Sequence, residues 1–187
     1  MNGVKNNMAT NKLKIGDSIP TFNKLPAVDG KSYSLIDFDD KKILIIVFSC
    51  NHCPYVKAYE PRMIELQKKY KPEGVQLIAI NSNETVNYPE DKFEKMVQNA
   101  KEKNFNFVYL RDEDQSVADA FGATHTPEFF VFDEKRILRY HGKMDDNWQD
   151  PRLVKENYVS DAIDAIIKNL PIKTTETYSI GCTIKWR

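Results

Sequence analysis

Two cysteines three positions apart, in Cys50-Asn51-His52-Cys53, are the residues of this chain best suited to covalent chemistry. Thiols at that spacing can cycle between a dithiol and a disulfide. A helical rise of about 1.5 Å per residue separates them by about 4.5 Å, inside the roughly 4.4–6.8 Å Cα window of a disulfide. The motif follows the apolar run Ile43–Phe48 and precedes a helical pattern, so it falls at a strand-to-helix junction. Free backbone N–H groups and the positive end of a helix dipole stabilise an anion there, which lowers a thiol's pKa. His52, when protonated, would add positive charge beside the sulfurs and make the disulfide a better oxidant.

Two further segments bear on this chemistry. Thr124-His125-Thr126-Pro127 precedes the apolar stretch Glu128–Phe132. Proline is tolerated at a strand's start because its missing N–H is not needed there. The segment reads either as a plain turn or as a cis Thr126-Pro127 bond presenting backbone to a substrate chain, and sequence leaves both open. Cys182 lies in Ile180-Gly181-Cys182-Thr183, beyond the last helical pattern. A small buried hydrophobe packing the tail is one reading of it. A structural zinc site would want a second ligand pair; Cys182 and one histidine could complete four ligands, but there is no second C-x-x-C. The bland alternative is a pair of buried cysteines with no role, for which a strand-to-helix junction is a poor place.

The elements that must position these residues follow from hydrophobic period. Ile43–Phe48, continuously apolar and mostly β-branched, predicts a central strand covered on both faces. Val56, Tyr59, Met63, Leu66 and Tyr70 mark one face of a helix. Gln76–Ile80 predicts a strand, Pro89–Lys103 a helix, and the alternation of Phe105, Phe107 and Tyr109 a third strand. A short helix carrying Val117, Ala118 and Phe121 is expected, capped by Asp114 and stopped by Gly122. Strands over Phe129–Phe132 and Ile137–His141 and a helix over Val159–Leu170 complete the order. A hairpin is expected between Pro20 and Leu35, turning at Val28-Asp29-Gly30-Lys31. Strands alternating with helices predict an α/β layered domain. The polar stretch Gly142–Asn157 is either a solvated connection or a border of the site, and Asp145, Asp146 and Asp150 in it are expected to be solvated.

A length of 187 residues favours one domain. Lys plus Arg and Asp plus Glu balance at 27 each, so no basic field exists to attract nucleic acid or anionic lipid, and neither is expected as a partner. No apolar run approaches the roughly 20 residues of a membrane helix. Residues 1–12 are polar and lack the apolar stretch of a signal peptide; they are expected to form a disordered tail, and the protein to be cytoplasmic. There is no G-x-x-x-x-G-K, G-x-G-x-x-G or H-E-x-x-H, and the sequon Asn83-Glu84-Thr85 is taken as chance.

Gly16-Asp17 with Pro20 and Phe22, the strand-linked Cys50-Asn51-His52-Cys53-Pro54, and Thr126-Pro127 together resemble the thioredoxin-like superfamily. Within it, the phrases NHCPYVK, AINSNE, YPEDKFEKM, FGATHTPEFFVFD and SIGCTIKW resemble a peroxiredoxin-like (AhpC/TSA-type) branch of thiol-disulfide oxidoreductases. The resemblance implies a thioredoxin-like fold over residues 13–187, with a central mixed β-sheet flanked by helices and an N-terminal β-hairpin extension. It implies Cys50 as the attacking and Cys53 as the resolving cysteine, with His52 beside the second. Pro127 matches the cis-proline, and Thr126 the residue whose backbone pairs with bound substrate. Some two-cysteine peroxiredoxins use a C-terminal resolving cysteine, and an accessory or resolving role of that kind is the other reading of Cys182. The implied function is thiol-disulfide exchange with a protein partner, or with a thioredoxin-type reductant, by a monomer or homodimer. The redox group is the Cys50–Cys53 disulfide, and no cofactor or metal is implied.

Departures from the pattern leave other functions in play. The buried acid of thioredoxins is replaced by Leu44, and the tryptophan before the first cysteine by Ser49. Aligning Cys53 with the peroxidatic cysteine of P-x-x-x-T/S-x-x-C puts Cys50 at the threonine and Ile46 at the proline. The branch often has a cysteine where this chain has His125. A thiol peroxidase acting on hydroperoxides is thus a second reading. A copper or zinc carrier using Cys50, Cys53 and His125 or His141 is a third, with the C-x-x-C one residue short of the copper-delivery spacing.

Overall fold

Apolar side chains on both faces put Ile43–Phe48 in the middle of the sheet, and every one of its residues is buried. The computed structural model describes residues 12–187. The tail expected at residues 1–12 thus lies, except for Lys12, outside the described residues. Strands β1 (Leu25–Pro26) and β2 (Ser32–Tyr33) form the expected antiparallel hairpin. Then come β3 (Ile43–Phe48), α1 (Pro54–Tyr70), β4 (Val75–Asn81), α2 (Phe93–Glu102), β5 (Val108–Arg111) and α3 (Ser116–Phe121). They are followed by β6 (His125–Thr126), β7 (Glu128–Phe132), β8 (Leu138–Gly142), α4 (Tyr158–Ile167) and β9 (Cys182–Thr183).

The sheet order is β5-β4-β3-β7-β8, parallel from β5 to β3 and antiparallel from β3 to β8. This is the mixed sheet flanked by helices that the sequence implied. Alternate residues of β3 face opposite cores, as the pleat requires. Ile43, Ile45 and Val47 belong to the core that holds Tyr59, Met63 and Leu77, and Leu44, Ile46 and Phe48 to the one that holds Ile78, Phe121 and Phe130. Each such side chain contributes about 1.5–3 kcal/mol. The strand is therefore a rigid base for the residues at its carboxyl end.

Three elements differ from expectation. The aromatic alternation at Phe105, Phe107 and Tyr109 covers the core, but the strand begins only at Val108. The helix expected over Pro89–Lys103 is broken at Lys92, whose ψ of 148° is non-helical; Pro89–Asp91 forms a separate 3-10 turn. The short helix α3 is not capped by Asp114 alone. The buried Asp112 carboxylate accepts from the amides of Val117 and Ala118, while Asp114 accepts from Ser116. Gly122 ends α3 in the left-handed conformation.

Beyond α4 the chain runs back across the sheet end. His141 donates its amide to Thr175, and Thr177 donates to His141. The chain then adds β9 antiparallel to β6, pairing Cys182 with Thr126 and Thr183 with His125. No strand was expected there, since two residues carry no periodicity. Among the described residues no helix is long and apolar enough to cross a membrane.

Candidate active site

The carboxyl end of β3 and the start of α1 hold the C-x-x-C motif. Pro54 opens the helix, where its fixed φ is already helical and its missing N–H costs nothing. Cys53 is thereby the N-cap residue, and Cys50 sits one turn earlier, just beyond the strand. Both are buried and free, together with Val56 in a small cluster against which Tyr55 and Cys182 pack.

The Thr126-Pro127 peptide bond is cis. Thr126 faces both cysteines: its hydroxyl lies 3.4 Å from Cys50 Sγ and its carbonyl oxygen 3.2 Å from Cys53 Sγ. Cys182, the third cysteine, brings its Sγ to 2.8 Å from Cys53 Sγ. A third thiol, 129 positions along the chain, thus joins the pair, with Cys53 in the middle. Cys182 is half-buried, and not the sequestered hydrophobe that one reading of the sequence offered. The backbone of Thr126, implied as the docking edge for substrate, is already paired with Cys182 of the same chain.

The two cysteines of the motif titrate in opposite directions. Cys53 is lowered: Cys50 donates a hydrogen bond to its sulfur, Cys182 does the same, and the amides of Val56 and Cys182 add to both, outweighing burial. Cys50 is raised, first because its proton is held by Cys53, then by burial and by the negative charge of Asp91. Burial and the bond to Cys53 push Cys182 up to about 11. Position adds to the asymmetry: Cys53 is the N-cap residue with the Val56 amide beside its sulfur, whereas Cys50 lies ahead of the helix. The carbonyl of Thr126 accepts the Cys53 proton only while that sulfur keeps one. The thiolate position is therefore Cys53, the residue that the resemblance made the resolving cysteine.

His52 does not act as a free positive charge beside the sulfurs. Its Nδ1 lies 2.7 Å from Asp91 Oδ2, and its ring stacks on Tyr88. Asp91 is fully buried and also accepts from the Asn51 amide at 2.6 Å, Asn83 Nδ2 at 2.8 Å and Asn81 Nδ2 at 3.2 Å. This carboxylate anchors the whole Asn51-His52 loop, and sequence reasoning missed it. A signal was present: the polar run Asn81-Ser82-Asn83 closes an apolar strand, and Asp91 is inside a run that reads as an ordinary helix start.

The histidines considered as extra metal ligands do not join the sulfurs. His141 presents Nε2 to Glu128 at 2.6 Å and Nδ1 to Glu176 at 3.2 Å, while His125 Nδ1 faces Thr124 Oγ1. Among the described residues the group with metal-ligand geometry is Cys50, His52 and Asp91, and its carboxylate is already engaged by four donors. Glu128 holds the Thr124–Thr126 segment from behind, accepting from the amides of Thr124 and His125. Burial works against its ionisation, but His141 and those amides overcome it and hold the carboxyl below its usual range.

The loop Gly142–Asn157 borders the site. Trp148 packs on Tyr55 with ring centroids 4.3 Å apart, and Arg62 of α1 binds Asp145 and the carbonyls of Asn147 and Trp148. Asp145 is buried and takes the Tyr59 hydroxyl as well, so it is structural and not solvated as expected. Leu44, at the position of the missing thioredoxin acid, is buried in an apolar core.

A cis Thr-Pro loop facing a dithiol at a strand-to-helix junction, on this mixed sheet, is the arrangement of a thioredoxin-like fold. The family model described as Redoxin matches residues 14–158, and the chain belongs to that family. An uncharacterized conserved protein from Geobacillus kaustophilus is similar in structure: 38% identity, a TM-score of 0.88, and coverage of 95% of this chain and 94% of that one. The thiol-disulfide oxidoreductase ResA of Halalkalibacterium halodurans is 27% identical over 118 residues, 63% of this chain. A chloroplastic peroxiredoxin Q of Triticum aestivum is 24% identical over 130 residues, 66% of this chain. The matches span 62% and 56% of those two proteins' own lengths.

Proposed function

We propose that the chain is a thiol-disulfide oxidoreductase whose redox couple is Cys50–Cys53. Cys53 carries the thiolate in the reduced protein, and Cys50 is the thiol that closes the disulfide on it. Two electrons then pass to a partner disulfide, or return from a partner dithiol. The observation that carries this reading is the placement of Cys53 Sγ at the N-cap of α1, with thiol donors on two sides. His52, held by Asp91, keeps the loop between the cysteines in one conformation. Support also comes from the ResA relatives, whose names state this activity for those proteins.

Equilibration of the protein with glutathione redox buffers, followed by alkylation and mass spectrometry, tests the reading. Cys50 and Cys53 are expected to oxidise together as one two-electron couple. Independent oxidation of the two, or none, would remove it.

A second reading is thiol peroxidase activity, favoured by the full burial of the Cys53 sulfur, which admits a small oxidant more easily than a folded chain. Stopped-flow mixing with hydrogen peroxide separates the two. Oxidation of Cys53 no faster than that of a free thiol leaves only disulfide exchange.

A further inference from the structure

The cysteine that does the least in the reading above is the least buried of the three. Cys53 has no exposed surface and Cys50 is 1% exposed, whereas Cys182 is only half-buried. The strand β9 covers the pair, and the residues that follow it are held in place. Ile184 is buried in the core and donates its amide to Thr124, Glu84 donates to the Lys185 carbonyl, and the Lys185 amide donates to Asn83. Gln115 donates to the same Lys185 carbonyl and accepts from the Arg187 amide. Gly181 fits against the cis-proline loop only because it lacks a side chain: a Cβ there would lie 2.1 Å from the Thr126 oxygen. A partner polypeptide cannot pair with Thr126 while β9 does.

We propose that Cys182 is the outer thiol of a three-cysteine relay, passing disulfides between a partner and the buried Cys53–Cys50 pair. The inference rests on the dithiol reading and adds the route to it. The partner class is an accessible disulfide, either of a small thiol or on a protein surface.

The exchange balances as follows. Cys182 passes its proton to Cys53 across their 2.8 Å contact and attacks one sulfur of the partner disulfide. The partner's S–S bond breaks, a Cys182–partner bond forms, and the departing partner sulfur takes the proton back from Cys53. The Cys53 thiolate attacks Cys182 Sγ, forming Cys53–Cys182 and releasing the second partner thiolate, which is protonated by solvent. Cys50 then gives its proton to the Cys182 sulfur as it attacks Cys53. The Cys50–Cys53 bond forms, the Cys53–Cys182 bond breaks, and Cys182 is again a thiol. Two electrons have left the Cys50–Cys53 pair and reduced one disulfide to two thiols. The reverse sequence, with a partner dithiol, oxidises the partner. No step requires β9 to leave its place.

The test uses the full chain, reduced and mixed with glutathione disulfide in one arm and insulin in the other, then quenched by alkylation and mapped by mass spectrometry. Cys53→Ser is expected to accumulate the mixed disulfide on Cys182. Cys182→Ser and Cys182→Ala are expected to slow formation of Cys50–Cys53 by at least about tenfold, with near-ultraviolet circular dichroism confirming the fold. Gly181→Val, which pushes β9 off Thr126 while keeping the thiol, is expected to slow it as well. Response to glutathione disulfide alone assigns small disulfides as the partner, and response to insulin adds protein ones. Trapping on Cys50, or Cys182 variants and Gly181→Val reacting at the wild-type rate or faster, would overturn the relay and make β9 a simple cover. If the wild-type chain forms no Cys50–Cys53 disulfide in either arm, the dithiol reading itself fails.

Discussion

The sulfurs sit between two flanks built by different means. On one side Asp91, fully buried, gathers four polar donors and holds Asn51 and His52 in place. On the other, Thr126, Gly181 and Cys182 meet through backbone pairing and close approach, with Glu128 behind them. The first flank is a charge whose neutralisation would strand several donors at once, so it resists change. The second is one short pair of strands, in which a thiol can be exchanged at small structural cost. The contrast teaches that shaping the cysteine loop and giving access to it are separate tasks here.

The sharpest way to break that division is at Cys53, which belongs to both flanks. Cys53→Ser is expected to lower disulfide exchange by at least about 10³-fold, read from multiple-turnover reduction of glutathione disulfide with dithiothreitol as electron donor, because both reacting pairs share this sulfur and a mixed disulfide trapped on Cys182 cannot be passed inward. A small loss would mean that Cys50 and Cys182 act without it. Asp91→Asn comes next. Its new amide would face the donors of Asn81 and Asn83, with an expected cost of about 2–3 kcal/mol in urea unfolding. Unchanged stability would show that the polar flank is not the rigid one.

The opposite titration of the two cysteines gives a finer test. Thiolate absorbance at 240 nm is expected to persist in the reduced protein as the pH falls to about 6, and to disappear only at lower pH. In Cys50→Ser the loss is expected to move to higher pH, since a serine hydroxyl is a poorer fit for the thiol's place at Cys53. Glu128→Gln is expected to cost about 1–2 kcal/mol. The sign follows from linkage: a carboxyl lowered by folding stabilises above its ordinary value of 4.5 and loses that contribution as the pH falls below it. The variant's deficit, measured by denaturant unfolding, should therefore shrink in acid. The smallest effect is expected at His125→Ala, within about 0.5 kcal/mol and with no change in exchange rate, because its ring only meets Thr124 at the half-exposed edge. A large effect would revive a role for that histidine at the sulfurs.

Much of the frame was legible in advance. Ile43–Phe48 can only be a strand buried on both faces, and the helix face from Val56 to Tyr70 follows its period. The C-x-x-C and Thr126-Pro127 segments were recognisable from residue type and spacing. The break at Lys92 was not, because the reason for it is the inward turn of Asp91 toward partners in two other segments, Asn51-His52 and Asn81-Ser82-Asn83. Nor was β9, whose two residues are strand only because Thr126 offers an edge.

By itself the sequence determined that two thiols would sit at a strand-to-helix junction, because hydrophobic period and the proline at position 54 are local properties. Which of the two sulfurs bears the charge, what His52 pairs with, and where Cys182 lands were decided only by the tertiary structure. Those outcomes depend on helix amides, buried carboxylates and strand edges that folding brings together from positions far apart in the chain.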